Sequence, residues 1–81
     1  MKTEGQILRD ARIKSGYTQE QISRRLGFTS PQYISNCERD KCPLSPDLFK
    51  PIAKMLGERP LRDIIAMRSR NYRLELLSKL T

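Results

Sequence analysis

Short apolar stretches recur at helical spacing along this chain, and each follows residues that start helices. Thr3 and Gln6 form a capping box ahead of the first stretch, and Thr18 and Gln21 form another ahead of the second. The predicted helices, in chain order, span residues 4–15, 19–26, 31–39, 47–56 and 61–80. The pattern therefore predicts an all-α fold of five helices.

Glycines and prolines mark the boundaries between these helices. Gly16 and Gly27 follow the last apolar positions of the first two, where a left-handed residue ends a helix. Ser30 and Pro31 are suited to be the cap and the first residue of the third. Pro51 lies inside the fourth apolar stripe, so we expect that helix either to begin late or to kink.

The second and third predicted helices are short and are joined by a tight polar turn, which is the layout of a helix-turn-helix. In that motif the first turns of the second helix enter the major groove of DNA. Gln and Asn can pair bidentately with adenine, and Ser or Tyr can reach bases or phosphates. The expected base contacts are Gln32, Tyr33, Ser35 and Asn36.

Charge strengthens the nucleic-acid reading. The 81 residues include 16 Lys and Arg against nine Asp and Glu, for a net charge of +7 and a pI near 9.9. A small basic domain favours double-stranded DNA as a partner, with an anionic membrane or an acidic protein as alternatives. The chain has no apolar run of the roughly 18 residues that a membrane span needs and no signal-peptide core, which predicts a cytoplasmic protein.

Little in the chain suggests catalysis or metal binding. It has no histidine, and Cys37 and Cys42 alone do not complete a tetrahedral site, so neither a metal nor another cofactor is expected. Cys37 falls at an inward helical position and is expected to pack in the core, while a disulfide with Cys42 would need an oxidising compartment. No nucleophile elbow or convergent carboxylate pair is present, so we expect no enzyme and no catalytic residue.

The segments GQILRDARIKSGYTQEQISRRLG, YISNCE and IAKMLG together resemble the Cro/phage-repressor (XRE-type) family of helix-turn-helix regulators, over Gly5 to Gly57. The matching positions are Leu8, Arg12, Gly16, Thr18 to Glu20, Leu26, Gly27, Ile34, Ser35, Glu38 and Ala53 to Gly57. The resemblance implies a five-helix lambda-repressor-like domain over residues 1–66, with a helical extension over 67–81. It also implies a repressor, bacterial or phage-encoded, that binds a palindromic operator as a homodimer.

The same resemblance assigns roles to particular residues. Arg12 and Glu38 are expected to form a partly buried ion pair, and Gln19 is expected to hold a DNA phosphate at the start of the second helix. The other expected phosphate contacts are Thr18, Ser30, Arg39 and Lys41.

Three positions depart from the family pattern. The chain has one residue more than the commonest family spacing between Gly27 and Glu38, and we place it in the turn. Asp40 stands where the family usually has Gly, and Asp tolerates a left-handed conformation better than most residues. Ser23 replaces a small Ala between the two helices, at little cost in volume.

The chain continues past the family domain with a second apolar stripe. Tyr72, Leu76 and Leu80 fall at i, i+4 and i+8, which predicts a dimer interface on the last helix. Two alternatives remain open: the tail folds back on its own domain, or its Arg-rich face lies on an anionic membrane.

Two further classes of function stay open at this point. An antitoxin-like or anti-regulator module would bind a protein as its main partner. An RNA-binding protein would need the interleaved aromatic residues of single-strand binders, and this chain has only five aromatic residues in all.

Overall fold

The computed structural model of the protein describes residues 2–68 and 76–80. Within those ranges every regular element is helical, which confirms the all-α prediction. The α-helices are α1 (Glu4–Lys14), α2 (Gln19–Arg25), α3 (Gln32–Glu38), α4 (Phe49–Leu56) and α5 (Glu58–Met67). A short 3₁₀ helix, Pro46–Leu48, leads into α4, and residues 76–80 are also helical.

Both predicted capping boxes are present. Thr3 Oγ1 accepts from the Gln6 N–H at 3.2 Å, and Gln6 Oε1 accepts from the Thr3 N–H at 2.8 Å. Thr18 and Gln21 make the same exchange at 3.0 and 2.8 Å. Each box satisfies two of the backbone donors that a helix start leaves unpaired, which is why α1 and α2 begin where the sequence indicates.

Pro51 and Pro60 lie in the first turns of α4 and α5, where a helix needs no backbone N–H. Pro51 is the third residue of α4, because that helix begins at Phe49 after the 3₁₀ turn and not at Asp47 as predicted. Pro60 is likewise the third residue of α5, which begins at Glu58, three residues earlier than the sequence indicated. Neither proline therefore interrupts a helix interior.

The core lies where α1 packs on α3 and α5, and where α5 packs on α4. α2 packs on α3, and its Ile22 side chain is fully buried. The fully buried apolar side chains of the core cluster include Leu8, Phe49, Ile52, Leu61, Ile64 and Ile65. Among the described residues no helix is long and apolar enough to cross a bilayer.

α1 approaches the end of α3 very closely at Gly5. A Cβ atom on Gly5 would come within 2.5 Å of the carbonyl oxygens of both Cys37 and Glu38, so no larger residue fits there without a shift of backbone. The Gly5 N–H donates to Asp40 Oδ1 at 2.9 Å. Asp40 has φ +61°, which is the left-handed conformation expected from the sequence. Its side chain therefore joins the start of α1 to the end of α3, which a Gly at position 40 would not do.

The continuous last helix predicted over 61–80 is wrong. α5 ends at Met67, and Arg68 has an extended backbone with φ −87° and ψ 169°. The Arg68 guanidinium turns into the body of the domain, where it pairs with Glu4 at 2.9 Å and donates to the Leu44 carbonyl at 3.0 Å. It also lies over the Phe49 ring, 5.3 Å from the centroid. Arg68 thus fastens the end of α5 to α1 and to the loop before α4.

Two residues of the predicted dimer interface, Leu76 and Leu80, lie in the core of their own domain. Leu76 is only 1% exposed and Leu80 only 3%, and both belong to the same core cluster as α1, α4 and α5. The third residue of that prediction, Tyr72, lies outside the described residues. The alternative in which the tail folds back on its own domain agrees with this burial, because both leucines are covered by their own chain.

Candidate nucleic-acid interface

The turn between α2 and α3 spans residues 26–31. Gly27 has φ +89°, and the Phe28 N–H donates to the Ser23 carbonyl at 2.9 Å. The predicted cap at Ser30 is wrong: α3 begins one residue later and ends one residue earlier than predicted, its N-cap residue is Pro31, and no side chain caps it. Ser30 Oγ accepts from the Gln32 N–H at a long 3.4 Å. Differences of one residue at helix ends are ordinary.

Glu38 is the acidic centre of the motif, and cationic and amide groups surround it. Arg12 donates to it twice, from Nε at 2.6 Å and from NH2 at 3.0 Å, and Gln19 Nε2 donates to Oε1 at 3.0 Å. Arg12 NH1 donates in addition to the Tyr17 carbonyl at 2.9 Å. The Arg12 and Glu38 side chains are only 12% and 2% exposed. One buried carboxylate therefore holds α1, the start of α2 and the end of α3 in a fixed arrangement.

The outward face of α3 is polar and internally hydrogen-bonded. Gln32 and Asn36 are four residues apart, and Arg39 follows Asn36 by three, so all three side chains share one side of the helix. Gln32 Nε2 donates to Asn36 Oδ1 at 3.0 Å, and Arg39 NH2 donates to the same oxygen at 3.1 Å. Ile34 and Cys37 are buried on the opposite side. α3 thus presents amide and guanidinium groups to solvent while its apolar side packs inward.

Tyr33 is half-buried beside this face and makes two contacts that the sequence did not indicate. Its hydroxyl accepts from the Ser45 N–H at 2.9 Å, and its ring lies 5.0 Å from that of Phe28 between centroids. Burial raises the pKa of the Tyr33 phenol above its ordinary value. Tyr33 therefore holds the loop before α4 against α3, and its hydroxyl is already engaged. Ser35 is half-buried on the other flank.

The residues expected to contact phosphate lie at the start of α2 and around the two ends of α3. Thr18, Ser30, Arg39 and Lys41 are exposed, whereas Gln19 is half-buried against Glu38. The Lys41 N–H donates to the Asn36 carbonyl at 2.9 Å, which fixes the backbone of Lys41 beside the end of the helix. Arg39 and Lys41 thus place two cationic side chains just beyond the end of α3.

The two cysteines are free thiols beneath the end of α3. Their sulfur atoms are 3.7 Å apart, with Cys37 buried and Cys42 half-buried. Burial raises the pKa of the Cys37 thiol to about 12. Within residues 2–68 and 76–80 no group of three or more Cys, Asp or Glu side chains is placed to hold a metal ion.

Besides the Tyr33 contacts, sequence reasoning missed other hydrogen bonds at this surface, and two of them differ in how far the sequence could have indicated them. One is the bond from Gln19 to Glu38, and the other is the bond from Arg39 to Asn36, a residue pair at i, i+3. The spacing of Asn36 and Arg39 was a usable signal, because side chains three apart on a helix are neighbours. The bond from Gln19 joins residues on different helices and had no local signal.

The arrangement of α2, turn and α3, with a polar outward face on α3, defines a helix-turn-helix nucleic-acid-binding domain. A helix-turn-helix family model matches residues 8–64, which cover most of the chain and include both helices of the motif. The chain belongs to the Cro/phage-repressor (XRE-type) helix-turn-helix family, whose members are DNA-binding regulators and not enzymes. It is a DNA-binding transcriptional regulator of that type. No significant match was found among curated proteins or among solved structures.

Proposed function

We propose that this regulator is a repressor that reads a specific double-stranded DNA operator by inserting α3 into the major groove. The observation that supports this most is the polar face of α3 formed by the exposed Gln32 and Arg39 and the half-buried Asn36 between them. A polar face made of amides and a guanidinium contributes little to the apolar core, whereas these groups are the ones that hydrogen-bond to base edges. Ser35, on the flank of this face, is a further base contact in the proposal.

Phosphate contacts on both sides of α3 would set its depth and register in the groove. We assign them to Thr18 and Gln19 at the start of α2, to Ser30 ahead of α3, and to Lys41 after it. Backbone contacts of this kind position a protein without reading sequence, and a net charge of +7 favours them. The bond from Gln19 to Glu38 fits this assignment, because it fixes the Gln19 side chain at the start of α2 relative to the end of α3.

The operator in this proposal is palindromic and is bound by a homodimer. One α3 covers only a few base pairs, and helix-turn-helix proteins gain specificity by pairing two such helices about 34 Å apart along the duplex. Leu76 and Leu80 are buried in their own domain, so the proposal leaves the dimer contact to another surface of the chain. Sedimentation with and without operator DNA measures the stoichiometry, and a single chain on each operator would contradict the dimer. The cytoplasmic location expected from the sequence stays a prediction.

The test of base reading compares two variants with a matched control. Gln32→Ala and Asn36→Ala should each weaken binding to the selected operator by roughly 1 to 3 kcal/mol and leave binding to unrelated DNA unchanged. Gln21→Ala removes an exposed amide of the α2 capping box and should leave the preferred sequence unchanged. Gel shifts with operator and scrambled duplexes measure both quantities. Normal operator binding by both variants would contradict the proposal that this face reads bases.

The phosphate assignment has its own readout, which is the dependence of affinity on salt. Each neutralised phosphate contributes about 0.9 to the slope of log K against log salt, so Lys41→Ala should lower that slope by about one. The preferred sequence should not change. A reporter gene placed behind the operator then distinguishes repression from activation, and increased expression in the presence of the protein would contradict the repressor role.

A further inference from the structure

We infer that Arg39 is a base-reading residue and that it selects guanine, with Asn36 as the residue that positions it. This inference rests on the proposed function, because it names the base that the same face of α3 recognises. The sequence alone suggested a phosphate contact for Arg39 and adenine recognition by Asn36. The hydrogen bonds on the surface of α3 favour a different division of roles.

The Arg39 guanidinium fixes the orientation of the Asn36 and Gln32 side-chain amides. Arg has only N–H donors, so Asn36 must turn its carbonyl oxygen toward Arg39 NH2, 3.1 Å away. Gln32 meets the same oxygen at 3.0 Å and must therefore turn its amino group to it. The direction of each bond thus follows from the chemistry of the Arg39 side chain.

This orientation determines what the face can offer to a base. The two lone pairs of Asn36 Oδ1 are both occupied, so Asn36 retains only its N–H groups. Bidentate pairing with adenine needs one donor and one acceptor from the same amide, whereas guanine presents two acceptors, O6 and N7, in the major groove. Asn36 and Arg39 together present donors only, which matches guanine. Gln32 keeps one N–H and its Oε1 for a neighbouring base pair.

The acidic neighbours of Arg39 are both turned away from it. Glu38 is buried against Arg12 and Gln19, and Asp40 accepts from the Gly5 N–H. In the described part of the chain the partner of Arg39 is a neutral amide. The exposed Arg24 and Arg62 differ, because each pairs with a glutamate four residues earlier. Arg39 therefore keeps its full positive charge and most of its donors for DNA, in an orientation set by Asn36.

The test uses the full chain and selection of binding sites from a random duplex library, for the wild type, Arg39→Ala and Lys41→Ala. The wild type should enrich a guanine at one position of each half-site. Arg39→Ala should lose that preference, by about 5- to 150-fold in affinity between guanine and the other bases. Lys41→Ala removes an equal charge two residues away and should weaken all sequences alike. Replacing the selected guanine by 7-deazaguanine, which lacks N7, should weaken the wild type and leave Arg39→Ala unchanged.

The possible contrary results are distinct. If Arg39→Ala weakens all sequences uniformly and keeps the guanine, Arg39 is a phosphate contact and the inference is wrong. A second contrary result is a wild-type preference for an adenine at the centre of the half-site, together with loss of that preference in Asn36→Ala. In that case Asn36 reads adenine and the inference is also wrong. If the wild type enriches no sequence, the proposed function and the inference fail together. The 7-deazaguanine duplex tests the wild type directly, so the conclusion does not depend on how a variant folds.

Discussion

Removal of Glu38 gives the sharpest test of how this fold is held together. The carboxylate accepts three hydrogen bonds, two from Arg12 and one from Gln19, and its side chain is 2% exposed. Glu38→Ala leaves the Arg12 guanidinium buried without its counter-charge, which costs about 3 to 5 kcal/mol when one partner of a buried pair is lost. Small domains have total stabilities of about 5 to 15 kcal/mol, so this single change removes a large share.

The expected change in melting temperature follows from the size of the chain. A domain of this length loses about 4 to 8 °C for each kcal/mol, so Glu38→Ala should lower the melting temperature by roughly 12 to 40 °C. Circular dichroism during heating, together with urea unfolding at neutral pH, measures both quantities. Glu20→Ala is the matched control, because Glu20 pairs with Arg24 on the exposed side of α2 and such pairs contribute only about 0.3 to 0.5 kcal/mol.

A double variant separates the cost of an unpaired charge from the value of the pair itself. Arg12→Met with Glu38→Leu removes both charges and keeps apolar volume, so it should recover most of the stability that Glu38→Ala loses. A loss below about 1 kcal/mol for Glu38→Ala would refute the reasoning, because it would mean that water reaches Arg12 and screens it as it does at the surface.

Three further predictions concern the core. Ser23→Ala should stabilise the domain by about 1 kcal/mol, because the Ser23 hydroxyl is fully buried and has no hydrogen-bond partner among the described residues; a lower unfolding midpoint in urea would contradict this. Leu76→Ala should destabilise it by about 2 to 5 kcal/mol, measured in the same way, because Leu76 is 1% exposed; no change would mean that the tail is not packed on the core. Burial raises the pKa of the Cys37 thiol from 9.0 to about 12, so the unfolded chain loses this proton first and stability should fall as the pH rises from about 9 toward about 12. Urea unfolding of wild type and Cys37→Ala across this range checks it, since the variant should show a shallower fall and equal slopes would contradict the assignment.

The sequence determined the starts of the helices because the signals for them are local. A capping box needs only two side chains three residues apart, so Thr3 with Gln6 and Thr18 with Gln21 fix the starts of α1 and α2 wherever those helices lie in the fold. The left-handed conformation of Asp40 is local in the same sense, because it depends on the steric tolerance of one residue. These local features were sufficient to indicate the helix-turn-helix.

Family resemblance extended the sequence reading to one contact across the fold. The partners Arg12 and Glu38 are 26 residues apart, and no rule of helical spacing connects them. The structure brings the two together and adds Gln19 as a third member, whose side chain reaches Glu38 from a different helix. Periodicity shows which side of a helix a residue occupies, but it does not show which distant side chain lies opposite.

Only the tertiary structure decided where the apolar stripes and polar side chains find their partners. The spacing of Leu76 and Leu80 indicates an amphipathic stretch without indicating what the stretch covers, and only the structure shows both leucines in the core cluster of their own domain. The Tyr33 hydroxyl could equally have faced a base, yet it accepts from the Ser45 N–H. Local pattern sets the conformation of each short segment, whereas the free energy of burial depends on surfaces that only the folded chain brings together.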